Sequence, residues 1–139
     1  MAKYRRGSGP LPVPTPVTQP FWQATSEHRL LLQKCANGHV FYYARTHCLE
    51  CLSNELEWVD ASGRGKLYSY TVARRPQSEA FAEDCPYVIA AITLQEGPRM
   101  TSLLVECEAD NVQALVDGPV EVVWEDVSEG LAMPYFRPV

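Results

Sequence analysis

Cys35, His39, Cys48 and Cys51 form the densest set of soft donors in the chain. In Cys48-Leu49-Glu50-Cys51 two residues separate the thiols, a spacing that lets both sulfurs of one tight turn reach a single ion. The upstream half, Cys35-Ala36-Asn37-Gly38-His39, places three residues between a thiol and an imidazole. Together they make a Cys3His set for a tetrahedral Zn²⁺, which takes S and N ligands at about 2.0 to 2.3 Å. His47, next to Cys48, competes with His39 for the fourth position. A closed four-ligand site is structural, holding a module of roughly 30 residues that is too small to bury a core of its own. Three ligands and an open position would instead suggest catalysis, but no base stands nearby. The opposing possibility is a metal-free ribbon that survives on its apolar residues.

Elsewhere the chain offers cations and aromatics rather than catalytic groups. Arg64, Lys66, Arg74, Arg75 and Arg99 are candidates for holding phosphates, with Tyr68, Tyr70 and Phe136 beside an apolar groove. Their alternative role is ordinary: solvated strand ends and core aromatics. The three histidines, His28, His39 and His47, all lie in or beside the cysteine-rich segment, which leaves none downstream for general acid or base work. No nucleophile is paired with a base. Cys85 and Cys107 read as spare thiols, since packing is the commoner fate of a free cysteine. The expectation is little or no activity from the chain alone.

The elements that must position these groups are mainly β. Residues 7–20 hold five of the eleven prolines, which fix φ and withhold backbone donors, so residues 1–18 read as an extended arm with Lys3, Arg5 and Arg6 at its tip. Residues 21–27 are a short helix candidate behind Pro20. Strands are expected at 29–34 and 40–43, bracketed by the Cys/His clusters. Further strands are expected at 63–75, 87–94, 100–106, 120–125 and 133–136, with one or two helical turns at 110–116. Three strands, a short helix and two strands is the order of a five-stranded OB barrel. The predicted organisation is an arm (1–18), a helix with a zinc ribbon (19–56) and an OB-fold domain (57–139).

Length and charge bound the function. A chain of 139 residues is one domain or two very small modules. The net charge of -5 is unevenly placed: residues 1–75 carry ten of the twelve Lys and Arg with five acids, and the remainder carries two with twelve acids. An anionic ligand should meet the first half, while the acidic second half opposes a groove that tracks a nucleic-acid backbone. No run reaches the roughly 18 to 20 apolar residues of a membrane helix. The basic start is followed by prolines where a secretory signal needs a continuous apolar stretch, so the expected compartment is the cytoplasm, where five cysteines read as ligands or thiols.

Several motifs resemble one family. The cysteine ribbon, the run Gly63-Arg64-Gly65-Lys66-Leu67-Tyr68-Ser69-Tyr70-Thr71-Val72, then Pro86-Tyr87-Val88, Glu96-Gly97-Pro98-Arg99 and the closing Pro134-Tyr135-Phe136-Arg137-Pro138 are similar to the DUF35 family. The similarity covers about residues 19 to 138. It implies an N-terminal helix, a rubredoxin-like zinc ribbon and a C-terminal OB-fold. The family's first knuckle is C-x-x-C-G, and this chain departs from it. Either one residue is deleted and Cys35 keeps the first ligand position, or Lys34 and Asn37 occupy the two cysteine positions.

The resemblance further implies a noncatalytic accessory subunit of an acyl-CoA-processing complex. Its partner would be a thiolase or a lipid-transfer-protein-type thiolase-like enzyme, and its ligand part of a CoA thioester. CoA needs a few cations beside an apolar groove, and Arg64, Lys66, Tyr70, Arg74, Arg75 and Arg99 are the candidates. The rival reading is an OB-fold that binds single-stranded nucleic acid through stacking aromatics in a positive channel, to which the acidic half of the barrel is opposed.

Overall fold

The chain's structure is a computed structural model that describes residues 10–139; Lys3, Arg5 and Arg6 of the proline-rich arm lie outside the described residues. From Pro10 to Thr15 the backbone has no regular secondary structure. Thr15 and Thr18 then exchange backbone-to-hydroxyl hydrogen bonds of 2.8 and 3.2 Å, leading into helix α1, Gln19–Thr25. Pro20 sits in the first turn, where its missing N–H costs no helical bond.

A three-stranded sheet follows: β1 (Leu31–Cys35), β2 (Val40–Phe41) and β3 (Leu56–Asp60), in the order β2-β1-β3. The third strand is an addition to the two expected in the ribbon. Leu31 pairs with Asp60 and Cys35 with Leu56, so β3 closes the sheet by antiparallel bonding to residues more than twenty positions earlier.

The remaining strands are β4 (Arg64–Ala73), β5 (Tyr87–Leu94), β6 (Arg99–Leu104), β7 (Pro119–Ser128) and β8 (Leu131–Pro138). They close a barrel in the order β4-β5-β6-β8-β7. The closing contact of β6 with β8 is parallel, Leu104 opposite Phe136, and all other pairs are antiparallel. With short 3-10 turns at 79–84 and 109–115, the second lying between the third and fourth strands, this is the OB-fold expected from the strand order. The turn at 79–84 has no counterpart in the sequence pattern.

Alternation within strands builds the core. Along β5, Val88, Ala90, Ile92 and Leu94 are buried inside the barrel while Ile89, Ala91 and Thr93 face out. Phe136 and Leu67 are fully buried. The same apolar cluster continues into Phe21 of α1 and into Leu30 and Leu32, so ribbon and barrel share one core. Thr25 at the end of α1 is fully buried, and its hydroxyl accepts the amide of Ala132 on β8. Among the described residues no helix is long and apolar enough to cross a membrane.

Candidate functional site

Two local turns bring the soft donors together. Gly38, at φ 89°, turns the chain back after β1, so that its amide donates to the carbonyl of Cys35 and the next amide, of His39, points at Cys35 Sγ at 3.4 Å. Leu52, at φ 61°, makes the equivalent turn downstream, where the Leu52 amide donates to the Cys48 carbonyl and the Glu50 amide points at Cys48 Sγ.

The four candidate ligand atoms lie within 4.8 Å of one another. Cys35 Sγ is 3.3 Å and Cys48 Sγ 3.6 Å from His39 Nδ1, and Cys35 Sγ is 3.7 Å from Cys51 Sγ. A tetrahedron built with ordinary zinc bond lengths has edges of about 3.6 Å (S to N) and about 3.8 Å (S to S). The cluster therefore fits a zinc ion. Cys35 and Cys48 are buried at 3% and 1% exposure, so the site is closed on the side of the small ribbon core with Phe41.

His39, not His47, stands in the cluster; His47 turns its Nδ1 to the hydroxyl of Thr46. Of the two knuckle registers, the one that keeps Cys35 as a ligand has that residue in the cluster. The other ring nitrogen of His39, Nε2, lies 3.1 Å from Oε2 of Glu50, an arrangement that leaves Nδ1 as the donor atom. Asn37 donates its side-chain amide to Cys51 Sγ at 3.3 Å. That bond, with the Ser53 amide, holds the Cys51 thiol down at about 6, so it is ionised at neutral pH. Burial works to raise Cys35, but the His39 and Asn37 amides outweigh it and the net direction is down; burial raises Cys48. Asn37 and Glu50 are absent from the predicted site. Both sit in the spacers of the two knuckles, where a side-chain amide or carboxylate is already within reach of the ligands.

The candidate cations do not converge on one point. Lys66 pairs with Thr93 and Thr93 with Arg99 across three neighbouring strands, which sets Lys66 and Arg99 on one outer row near one end of the barrel, with Arg64 two residues away. The Arg99 guanidinium lies 3.5 Å from the centre of the exposed Tyr68 ring. Arg74 and Arg75 follow the far end of β4, and Arg74 is paired with Asp110 at 3.1 Å. Tyr70 is on the inner face, opposite buried Ala90, packed on the core with its hydroxyl donating to Gln113. Cys107 and Cys85 are half-buried thiols, and burial pushes Cys107 up.

The sequence left unremarked a pocket of about 330 Å³ at the seam of α1 and the barrel. Trp22, Tyr42, Phe81, Tyr87 and Tyr135 form most of its aromatic wall, and Asp84 is on its lining.

Comparison with known proteins follows this architecture. The family model described as "ChsH2, rubredoxin-like zinc ribbon domain" matches residues 22–57, and "ChsH2, C-terminal OB-fold domain" matches residues 58–125. A "DUF35 domain-containing scaffold protein" of Methanothermobacter thermautotrophicus is 38% identical over 104 residues, 73% of this chain and 76% of that one. A "Probable enoyl-CoA hydratase alpha subunit" of Thermomonospora curvata is 35% identical over 120 residues, 85% of this chain but 36% of that one, so the chain spans about a third of that relative's length. Among solved structures, a chain of an "Ltp2-ChsH2(DUF35) aldolase" superposes with TM-score 0.80 at 32% identity, over 92% of this chain and 98% of that one. A DUF35 protein of unknown function from Sulfolobus solfataricus shares the fold, with TM-score 0.61 at 16% identity over 89% and 86% of the two chains. Matched through both modules, the chain belongs to the DUF35/ChsH2 family, a zinc ribbon joined to a C-terminal OB-fold domain.

Proposed function

We propose that this chain is a noncatalytic accessory subunit of an acyl-CoA-processing complex in the cytoplasm. Its partner is an enzyme of the thiolase or lipid-transfer-protein type. The ribbon and α1 dock that partner, and the barrel helps hold the CoA end of the substrate while the partner performs the acyl transfer or the making or breaking of a carbon–carbon bond. The observation that carries this reading is the near-complete superposition on the DUF35 chain of an aldolase. The chemistry of the chain agrees with it. His39 is in the donor cluster, His28 is stacked on Trp124 and His47 faces Thr46, so each histidine has a structural neighbour.

Zinc is the ion proposed for Cys35, His39, Cys48 and Cys51. Four protein ligands close the coordination shell, and the ion supplies cross-linking of the two knuckles rather than a reacting centre. Asn37 and Glu50 orient Cys51 and His39 toward it.

Purification of the tagged chain from its native cell tests the proposal. A thiolase-fold enzyme should co-elute, and aldol, thiolytic or acyl-transfer turnover of acyl-CoA should need both components. Robust turnover by the chain alone would overturn the accessory assignment, as would recovery of nucleic acid in place of an enzyme.

A further inference from the structure

Prolines alternate along the start of the described chain, at Pro10, Pro12, Pro14 and Pro16. Each fixes its own φ and keeps the residue before it out of the helical region, so residues 10–15 are confined to extended, polyproline-like backbone. The arm leaves its apolar side chains uncovered. Val13, 82% exposed, is the most exposed large apolar residue among the described ones, and Pro14 beside it is exposed as well. At the seam of α1 and the barrel, the pocket of about 330 Å³ has no arm residue in its lining. Its wall of Trp22, Tyr42, Phe81, Tyr87 and Tyr135 is the surface that proline-rich segments dock on. Flat rings take the pyrrolidines, and indole and phenol groups are donors for the carbonyls that a polyproline helix leaves without internal partners.

We propose that this chain forms a reciprocal dimer in which the Val13-Pro14 step of each copy docks in the aromatic pocket of the other. The exchange is independent of the accessory role, since it needs no partner enzyme. Chain length favours a second copy as the occupant. The Thr15 carbonyl accepts the Gln19 amide at 2.7 Å, which folds the arm onto α1, and Trp22 follows one helical turn later. Val13 therefore stands within about 20 Å of the Trp22 of its own chain, yet outside that chain's pocket. With arm and pocket so near each other in one copy, both exchanges fit about a single two-fold axis, and the contact closes as a dimer instead of running on as a filament. Charge favours the same placement. In sequence the arm continues back to Lys3, Arg5 and Arg6, while residues 76–139, which supply all of the pocket's lining but Trp22 and Tyr42, carry twelve acids against two basic residues. The proline-restricted backbone has little freedom to lose on docking. Interfaces below roughly 1,200 Å² are weak, and two short arms bury less than that, so the dimer is concentration-dependent.

The test follows the full-length, zinc-loaded chain by sedimentation velocity from low micromolar to near-millimolar concentration, with melting curves to confirm that each variant is folded. Wild type should pass from monomer to dimer across this range. Val13→Asp in the arm, and Thr101→Trp, which fills the pocket from an exposed strand position on its lining, should each raise the dimer Kd at least about tenfold. Mixed in equal amounts, these two variants should recover a dimer, because one intact arm then meets one intact pocket. Val139→Asp, at an exposed apolar residue outside both the arm and the pocket's lining, should dimerise like the wild type. A wild type that stays monomeric throughout, with the arm seated in its own pocket or the pocket kept for another ligand, overturns the exchange. So does a Val13→Asp chain that dimerises as tightly as wild type, a mixture that stays monomeric, or a Val139→Asp control that loses the dimer.

Discussion

The imidazole of His28 lies flat on the indole of Trp124, with ring centroids 5.5 Å apart and planes within 5°, and its Nε2 is 2.8 Å from Oδ1 of Asp126. His28 follows α1 with a left-handed backbone at φ 56°, and Trp124 and Asp126 belong to β7. This pair therefore clips the ribbon half to the barrel at the edge of the shared core, against which Trp124 packs. His28→Ala should lower unfolding free energy by about 1 kcal/mol. A double-mutant cycle in urea with Trp124→Leu checks it: zero coupling between the two positions would show that the stack contributes nothing.

The donor cluster predicts an unusual pattern for its histidine. His39→Cys should retain about one zinc per chain, because a fourth thiolate completes the tetrahedron as well as an imidazole does. His39→Ala should lose most of the metal and melt at a lower temperature, and a chelator should bring the wild-type chain down to that level. Cobalt substitution gives an independent reading, since thiolate-to-metal absorption should be stronger in His39→Cys than in the wild type. Full zinc occupancy at unchanged affinity in His39→Ala would remove His39 from the ligand set.

Acid should weaken the contact by which Arg29 grips Asp60. Arg29 Nε and Nη2 donate to the two Asp60 oxygens at 2.9 and 3.0 Å, tying the start of β1 to the end of β3. The Arg29 side-chain hydrogen bond holds the Asp60 carboxyl below its ordinary value. A depressed folded value means the stabilisation is fully present above the ordinary carboxylate range, near about 3.9, and is lost as pH falls through the lower folded value. Both side chains are about half exposed, so the effect is small. Thermal unfolding of wild type and Asp60→Asn should differ at neutral pH and converge as the pH falls below the ordinary carboxylate range; parallel curves would contradict the linkage.

The G-x-G run predicts a packing defect. A Cβ on Gly65 would stand 2.5 Å from the Thr93 carbonyl oxygen, and one on Gly63, at φ 78°, would meet Val122 Cγ1 at 2.6 Å. The first contact is with backbone, so β5 itself would have to move. Gly65→Ala should cost about 1 to 3 kcal/mol in urea unfolding, while Lys66→Ala beside it should be near neutral. Equal stability of Gly65→Ala and wild type would argue that β4 and β5 are looser than drawn.

Much of the architecture was legible from short-range pattern. The period-two alternation of Val88, Ala90, Ile92 and Leu94 against Ile89, Ala91 and Thr93 marks β5 and its inner face without any partner strand. Cys48-x-x-Cys51 marks a metal knuckle because the geometry is local. By contrast, β3 continues the ribbon's sheet only through hydrogen bonds to β1, and Glu50 meets His39 only once the two knuckles face each other. Those relationships depend on pairing between distant segments.

The fate of the cations and Tyr70 shows the division most clearly. Along the sequence, Lys66, Tyr68 and Tyr70 share one parity and read as one face. A bulge between Leu67 and Ser69 inserts Tyr68 as an extra residue, so that Lys66 and Tyr68 stay outside while Tyr70 turns inward onto Ala90. The sequence by itself determined the Cys48-x-x-Cys51 knuckle, the ribbon-then-barrel order and the inner face of β5, because those follow from residue type and local spacing. The tertiary structure alone decided which cations stand together and where the aromatic pocket opens, because strand register and barrel closure are set by contacts among residues far apart in the chain.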